Sequence, residues 1–144
     1  MADLRVVSAL VAVVGCLILL QIYRSSTCGS LLSGAWRSYA NDLDKALHTE
    51  GIYTIGVMQS GDVRYIYVGY STDIRRRLQQ HKSQTLAIDE FVKDQFSRNG
   101  GKNLRFKWVK VTNAKCAEGD YLECMQEKLG YWPEYNKKRG NKCN

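Results

Sequence analysis

The chain reads as an α/β domain: a small, mostly antiparallel three-stranded sheet flanked by helices, preceded by an N-terminal hydrophobic helix. Three observations predict this. Residues 52–58 (IYTIGVM) and 63–68 (VRYIYV) are rich in β-branched and aromatic side chains, with Gln59-Ser60-Gly61-Asp62 as turn chemistry between them. Residues 104–111 (LRFKWVKV) alternate apolar and basic side chains, as a half-exposed strand does. Around these runs lie segments whose apolar residues recur at helical spacing, giving two layers around one sheet.

Taken in order, residues 6–23 (VVSALVAVVGCLILLQIY) carry no ionised side chain and are flanked by Arg5 and Arg24. A bilayer core needs about 20 apolar residues, with a lower limit of roughly 17, so this run suits a span. It also has the layout of a cleaved export signal, with small residues at Ser25, Ser26 and Thr27. Residues 1–27 are therefore expected to be a signal peptide or membrane anchor. Residues 28–49 are expected to be an amphipathic helical lead-in, because Leu31, Leu32, Trp36, Tyr39, Leu43 and Leu47 recur at helical spacing. The hairpin follows. Gly69 breaks its second strand, and Ser71 or Thr72 is expected to cap a helix over 73–82, with Asp73 in its first turn. That helix places Arg77 and His81 four residues apart on one face. A further helix over 86–98 stops at Asn99-Gly100-Gly101, the third strand comes next, and residues 114–129 form the last helix. Residues 133–144 are a polar, basic tail.

Composition bounds the function. The formal net charge is +7, and setting aside Arg5, Arg24 and Asp3 leaves 19 basic against 13 acidic side chains. That excess suits an anionic partner, nucleic acid or an anionic membrane surface. Outside residues 1–27 the cysteines are Cys28, Cys116, Cys124 and Cys143, an even number that an oxidising compartment would pair. The pairing expected is Cys28 with Cys143, tying the ends, and Cys116 with Cys124, bracing the last helix. No CxxC or paired Cys/His cluster occurs, which argues against a zinc site.

The chemistry concentrates in one ordered set: Gly51-Ile52-Tyr53, then Tyr67-Val68-Gly69, then Arg77 and His81, then Leu122-Glu123, then Pro133-Glu134-Tyr135-Asn136. Phosphodiester hydrolysis needs a base for water, a carboxylate-held divalent metal and cations for the charge that develops. The set supplies all three. In its order and residue types it resembles the GIY-YIG nuclease family over residues 50–137, leaving 138–144 as a basic tail. The resemblance implies catalytic roles for Tyr53, Tyr67, Arg77, His81, Glu123 and Asn136. Glu123 would be the ligand for Mg2+ (or Mn2+), Arg77 would hold the scissile phosphate, Tyr53 would activate water with Tyr67 as its companion, and Asn136 would buttress the site. Glu118 and Glu127 share the helix, and Glu127 stands as the alternative ligand. Gly69, Ser71, Arg75, Arg76 and Lys82 are expected at the substrate, with Lys102, Arg105, Lys107, Lys110 and the Lys137-Lys138-Arg139 tail adding charge. The alternation around Phe106 and Trp108 reads as core against outer face rather than a base-stacking platform. The function expected is a metal-dependent endonuclease of low sequence specificity acting on double- or single-stranded DNA, exported or membrane-tethered through residues 6–23, without an organic cofactor. The competing expectations are a catalytically silent nucleic-acid-binding module and a membrane-surface docking domain.

Overall fold

The computed structural model describes residues 11–18 and 27–143. Residues 11–18 are helical, and the rest of the apolar run over 6–23, with Arg5 and Arg24, lies outside the described residues. Among the described residues no helix is long and apolar enough to cross a membrane.

The sheet has four antiparallel strands rather than three. The elements are helix α1 (Gly29–Ser33), strand β1 (Arg37–Ser38), a 3-10 turn (Leu43–Lys45), β2 (Gly51–Gln59), β3 (Asp62–Ser71), α2 (Ile74–Gln80), α3 (Ala87–Asn99), β4 (Leu104–Lys110) and α4 (Ala114–Leu129). Spatial order is β1-β4-β2-β3, with β2 central and β3 at one edge. The extra strand comes from the segment read as a long amphipathic helix. Gly34 is extended after α1, at φ −64° and ψ 148°, and Arg37 and Ser38 then pair with Phe106 and Arg105. The apolar residues that mimic helical spacing bury on opposite faces of the sheet: Leu31 on one, Tyr39 on the other.

The hairpin turns on Ser60 and Gly61, both at positive φ, as a two-residue loop between right-twisted strands requires. Two cores result. Tyr53, Ile55, Val57 and Phe106 pack with Ile74, Leu78, Ile88 and Val92 of α2 and α3. Ile52, Tyr65 and Val68 pack on the other face with Leu31 of α1 and with Leu122 and Met125 of α4.

A β-bulge decides where the tyrosines point. Ile55 pairs with Tyr67 while Gly56 pairs with Tyr65, so Ile66 is the extra residue. In a regular strand Tyr65 and Tyr67 would share a face, because side chains alternate with period two. The bulge sends Tyr65 toward the α4 core and turns Tyr67 to the face that carries Tyr53.

The four cysteines pair, but as Cys28–Cys124 and Cys116–Cys143, not in the connectivity expected. Both bridges land on α4. Cys28 precedes α1, which lies over the α4 side of the sheet, so its partner is the inward-facing Cys124 and not the tail.

Candidate active site

Gly69 makes the site possible. It sits opposite Tyr53 in the β2–β3 register, and a Cβ there would lie 2.6 Å from the Tyr53 hydroxyl and 2.8 Å from Tyr67 Cε1. Its missing side chain gives the Tyr53 ring a place across the neighbouring strand. The Tyr53 and Tyr67 ring centroids are 6.1 Å apart, and each is within 5.6 Å of the His81 ring.

The residue after α2 supplies the partner. Asp73 is the N-cap of this helix, accepting from the Arg76 amide, rather than a first-turn residue behind a Ser71 or Thr72 cap. From that start the helix buries Ile74 and Leu78 and presents Arg77 and then His81 at its C-cap. His81 is fully buried, with Nε2 2.6 Å from the Tyr53 hydroxyl and Nδ1 2.5 Å from Asp89 Oδ1. The second Asp89 oxygen accepts from the Leu86 amide at 2.8 Å, which caps α3. The carboxylate accepts from Nδ1–H, so Nε2 is left to accept from the Tyr53 hydroxyl. Burial holds the imidazole pKa down to about 4, against the pull of the Asp89 hydrogen bond and with a further push from Arg77. The ring is therefore neutral at neutral pH. Burial, reinforced by Tyr67, raises the Tyr53 phenol well above its ordinary value, with Arg77 opposing. Burial likewise raises Tyr67, with Arg77 lowering it and Glu118 raising it.

Next to this buried line, beyond Tyr67 and Arg77, opens a polar cavity of about 320 Å³ lined by Tyr67, Tyr70, Ser71, Thr72, Arg76, Arg77, Gln80 and Glu118. A second cavity of about 340 Å³ shares Tyr67 and Glu118 and adds Tyr135, Asn136, Lys137, Lys138 and Asn141. Arg77 Nη1 donates to Gln84 Oε1 at 2.7 Å, which orients the half-buried guanidinium. Asn136 is buried and acts as a substitute strand. It accepts from the Val68 amide at 2.9 Å and donates to the Val68 carbonyl at 2.8 Å, closing the open edge of β3. Thr54 donates to the Tyr67 carbonyl at 2.8 Å from the other side.

Tyr53, Tyr67, Arg77, His81 and Asn136 are thus brought together. Glu123 is not. It is exposed, pairs with Lys142 at 2.7 Å, and lines a separate cavity with Gln126, Trp132, Lys137, Lys138 and Arg139. Five residues along a helix turn it about 140° away from Glu118, and Glu118 is the α4 carboxylate that shares both cavities with Tyr67. Glu127 is exposed one turn beyond Glu123, on the same side.

Several cations expected at the substrate are committed elsewhere. Arg75 donates from Nε to the Ala46 carbonyl at 2.6 Å and from Nη2 to the Asp44 carbonyl, tying the 3-10 turn to α2. Lys107 is buried and donates to the Leu32 and Gly34 carbonyls at the end of α1, its pKa pushed down to about 8 by burial. Arg105 folds back onto the Lys102 and Leu104 carbonyls. Ser71 spends its hydroxyl proton on the Asp73 carbonyl. Arg76 lines the cavity, and Lys82 is exposed with its ammonium 4.7 Å from the Phe96 ring. Phe106 and Trp108 stack on each other, and Arg37 covers the Trp108 ring.

Sequence reasoning did not single out Asp89 and Gln84, which hold His81 and Arg77, or Glu118 and Asn141, which line the cavities. Asp89 did leave a signal: an acid three residues after Leu86, at the start of a helix, eight residues beyond a histidine.

No curated relative and no solved structure matches the chain at a significant level. The family profile of the GIY-YIG catalytic domain matches residues 50–120, a span that holds both tyrosines, Arg77, His81, Asp89 and Glu118 and stops short of Glu123. Residues 50–120 are thus a GIY-YIG catalytic domain, which supports assigning the chain to the GIY-YIG nuclease family.

Proposed function

We propose that the chain is a metal-dependent endonuclease that hydrolyses DNA phosphodiester bonds with low sequence specificity, exported or tethered to a membrane. The observation that carries this reading is the buried line Asp89–His81–Tyr53, which ends beside Tyr67 and Arg77 at a cavity that Glu118 also lines.

Such a line moves a proton away from water. As a water attacks phosphorus and the bond from phosphorus to the leaving oxygen breaks, the water's proton reaches the Tyr53 oxygen past Tyr67, which lines the cavity, while the phenol's own proton passes to His81 Nε2 and solvent protonates the leaving oxygen. Asp89 then faces the imidazolium that forms and steadies it. Because burial keeps Tyr53 a phenol and His81 neutral, both start in the protonation state this step needs. The Arg77 fork matches two phosphate oxygens, and it stays charged at every working pH.

The residues fit a magnesium or manganese ion at Glu118. This carboxylate is half-buried at an open cavity; Oε2 accepts from Asn141 at 2.9 Å, and Oε1 has no hydrogen bond among the described residues. Among the described residues there is no cluster of three or more His, Cys, Asp or Glu, so the ion would be held by one carboxylate with water completing its shell, as suits magnesium. Bound there, it would supply positive charge to the phosphate and leaving oxygen.

Arg76, Lys137 and Lys138 line the two cavities with exposed positive charge, and contacts of that kind grip phosphates without reading bases. Two disulfides support an oxidising compartment, and the exposed Val11, Val13, Val14, Leu17 and Ile18 support membrane contact by the N-terminal segment.

The test is cleavage of plasmid and single-stranded DNA by the full chain in mild detergent, with and without Mg2+ or Mn2+, beside Arg77→Ala, Glu118→Ala and Glu123→Ala. Metal-dependent cleavage that falls at least about 100-fold in the first two variants and stays near wild type in the third is expected. A folded wild type that binds DNA and never cleaves it would replace this reading with that of a silent binding module.

A further inference from the structure

The tail beyond the family domain does more than carry charge. We propose that Asn141, held on a disulfide-locked C-terminal strap, is a positioning residue for Glu118; the inference rests on the metal-dependent reading above and names a part of the site that lies outside residues 50–120.

The strap is built onto α4 from three directions. The Gly119 amide donates to the Asn141 carbonyl at 2.9 Å. Gly119 and Gly140 meet backbone to backbone: a Cβ on Gly140 would come within 3.1 Å of the Gly119 backbone, and one on Gly119 within 2.8 Å of the Asn141 carbonyl. Cys143 is then bridged to Cys116, two residues before Glu118. Closed this way, the strap aims the Asn141 amide at Glu118 Oε2, 2.9 Å away, at a cavity that both residues line, and leaves Oε1 without a hydrogen bond among the described residues. A half-buried carboxylate beside an open cavity otherwise samples several rotamers. An amide donor bonded to one oxygen removes most of them, the role that outer partners of metal-ligating groups commonly fill. Lys142, next along the strap, pairs with Asp120 and Glu123 rather than with Glu118.

The experiment measures Mn2+ affinity by electron paramagnetic resonance, and the Mg2+ dependence of cleavage, in the full chain. The variants are Asn141→Ala, the pair Cys116→Ser with Cys143→Ser, all three together, and Glu118→Ala. Thermal unfolding and an intact Cys28–Cys124 bridge, read by mass, report on the fold. We expect Mn2+ binding to weaken about tenfold in Asn141→Ala, the low end for an outer partner, and similarly in the cysteine pair. The triple variant should show no further loss, because the bridge acts through Asn141. Half-saturating Mg2+ should rise by the same factor while the rate at saturating metal stays near wild type; a merely structural tail would lower the rate and leave the metal requirement alone. Unchanged Mn2+ affinity in Asn141→Ala and in the cysteine pair, with Glu118→Ala weakened, overturns the proposal and leaves Glu118 standing. Wild-type Mn2+ affinity in Glu118→Ala overturns both assignments together.

Discussion

Asp89→Asn is the most informative single change, because it keeps shape and removes only the charge and the acceptor. Asp89 is fully buried, with one oxygen on His81 Nδ1 at 2.5 Å and the other on the Leu86 amide at 2.8 Å. In the variant the amide oxygen can keep one of these bonds. If it stays on the Leu86 amide, the NH2 group faces His81 and donates to Nδ1, moving the ring proton to Nε2. Nε2 then no longer accepts from Tyr53, and the relay is cut. The matching substitution in serine-protease triads costs about 10⁴ in rate through the wrong tautomer; here, where Arg77 and Glu118 are untouched, a loss of 10²–10⁴ is expected. Exchanging a buried charge-assisted hydrogen bond for a neutral one should lower stability by about 2 kcal/mol, or roughly 8 °C for a domain of this size. Cleavage at saturating metal, nitrogen NMR of the histidine and thermal unfolding measure the three quantities. A variant that cleaves at the wild-type rate with its proton on Nε2 would refute the relay.

The other predictions concern the same line. Gly69→Ala forces a methyl to within 2.7 Å of Tyr53 Cζ and Oη, so the ring must move; a stability loss of about 1–3 kcal/mol should accompany a larger loss of rate, and a variant that loses stability alone would show that the ring position is not catalytic. Cleavage should also fall on acidification, because protonated His81 cannot accept from Tyr53. Its pKa is lowered in the fold from the ordinary 6.5 to about 4, so the unfolded chain binds its proton first. The His81 contribution is therefore fully present above about pH 6.5 and is lost as the pH falls toward 4, by on the order of 3 kcal/mol. Calorimetric midpoints between pH 7 and 4 check this, with His81→Gln showing a flatter dependence.

The hairpin, α2 and α4 were legible in the sequence because each is specified locally, by a turn pair, a cap or a period. Tyr53, Arg77 and His81 could be placed from that information, since strand and helix geometry alone carries them to one rim. Residues 30–48 could not. Their apolar spacing fits a helix, yet Arg37 and Ser38 take their hydrogen bonds from β4, almost seventy residues on. Tyr67 reaches the site through a bulge at Ile66, which no period reveals. The choice among Glu118, Glu123 and Glu127 was a question of azimuth around α4, and the sequence of a helix with several acids on it leaves azimuth open.

The cysteines help to set that azimuth. Leu122, Cys124 and Met125 bury one side of α4 against Ile52, Tyr65 and Val68, and apolar packing by itself tolerates some rotation. Two further constraints remove it. The Glu50 carboxylate accepts from the Ala114 amide at 2.8 Å, fixing the first turn to the start of β2. The bridges then hold the helix from opposite ends of the described chain, Cys124 to Cys28 and Cys116 to Cys143. Closing loops with sequence separations of 96 and 27 removes about 4.7 and 3.6 kcal/mol of chain entropy from the unfolded state in the simplest account, taken singly. Their placement matters as much as that gain. Tyr53, His81 and Asp89 depend on β2, α2 and α3, all on one side of the sheet, whereas Glu118 comes from the other side and meets them only past the β3 edge. A rotation of α4 by one residue, about 100°, would bring Ala117 or Gly119 to the cavity in its place. On the proposed reading the proton relay is carried by the sheet and its first helices, while Glu118 is held in place with the help of covalent bonds that form under oxidising conditions.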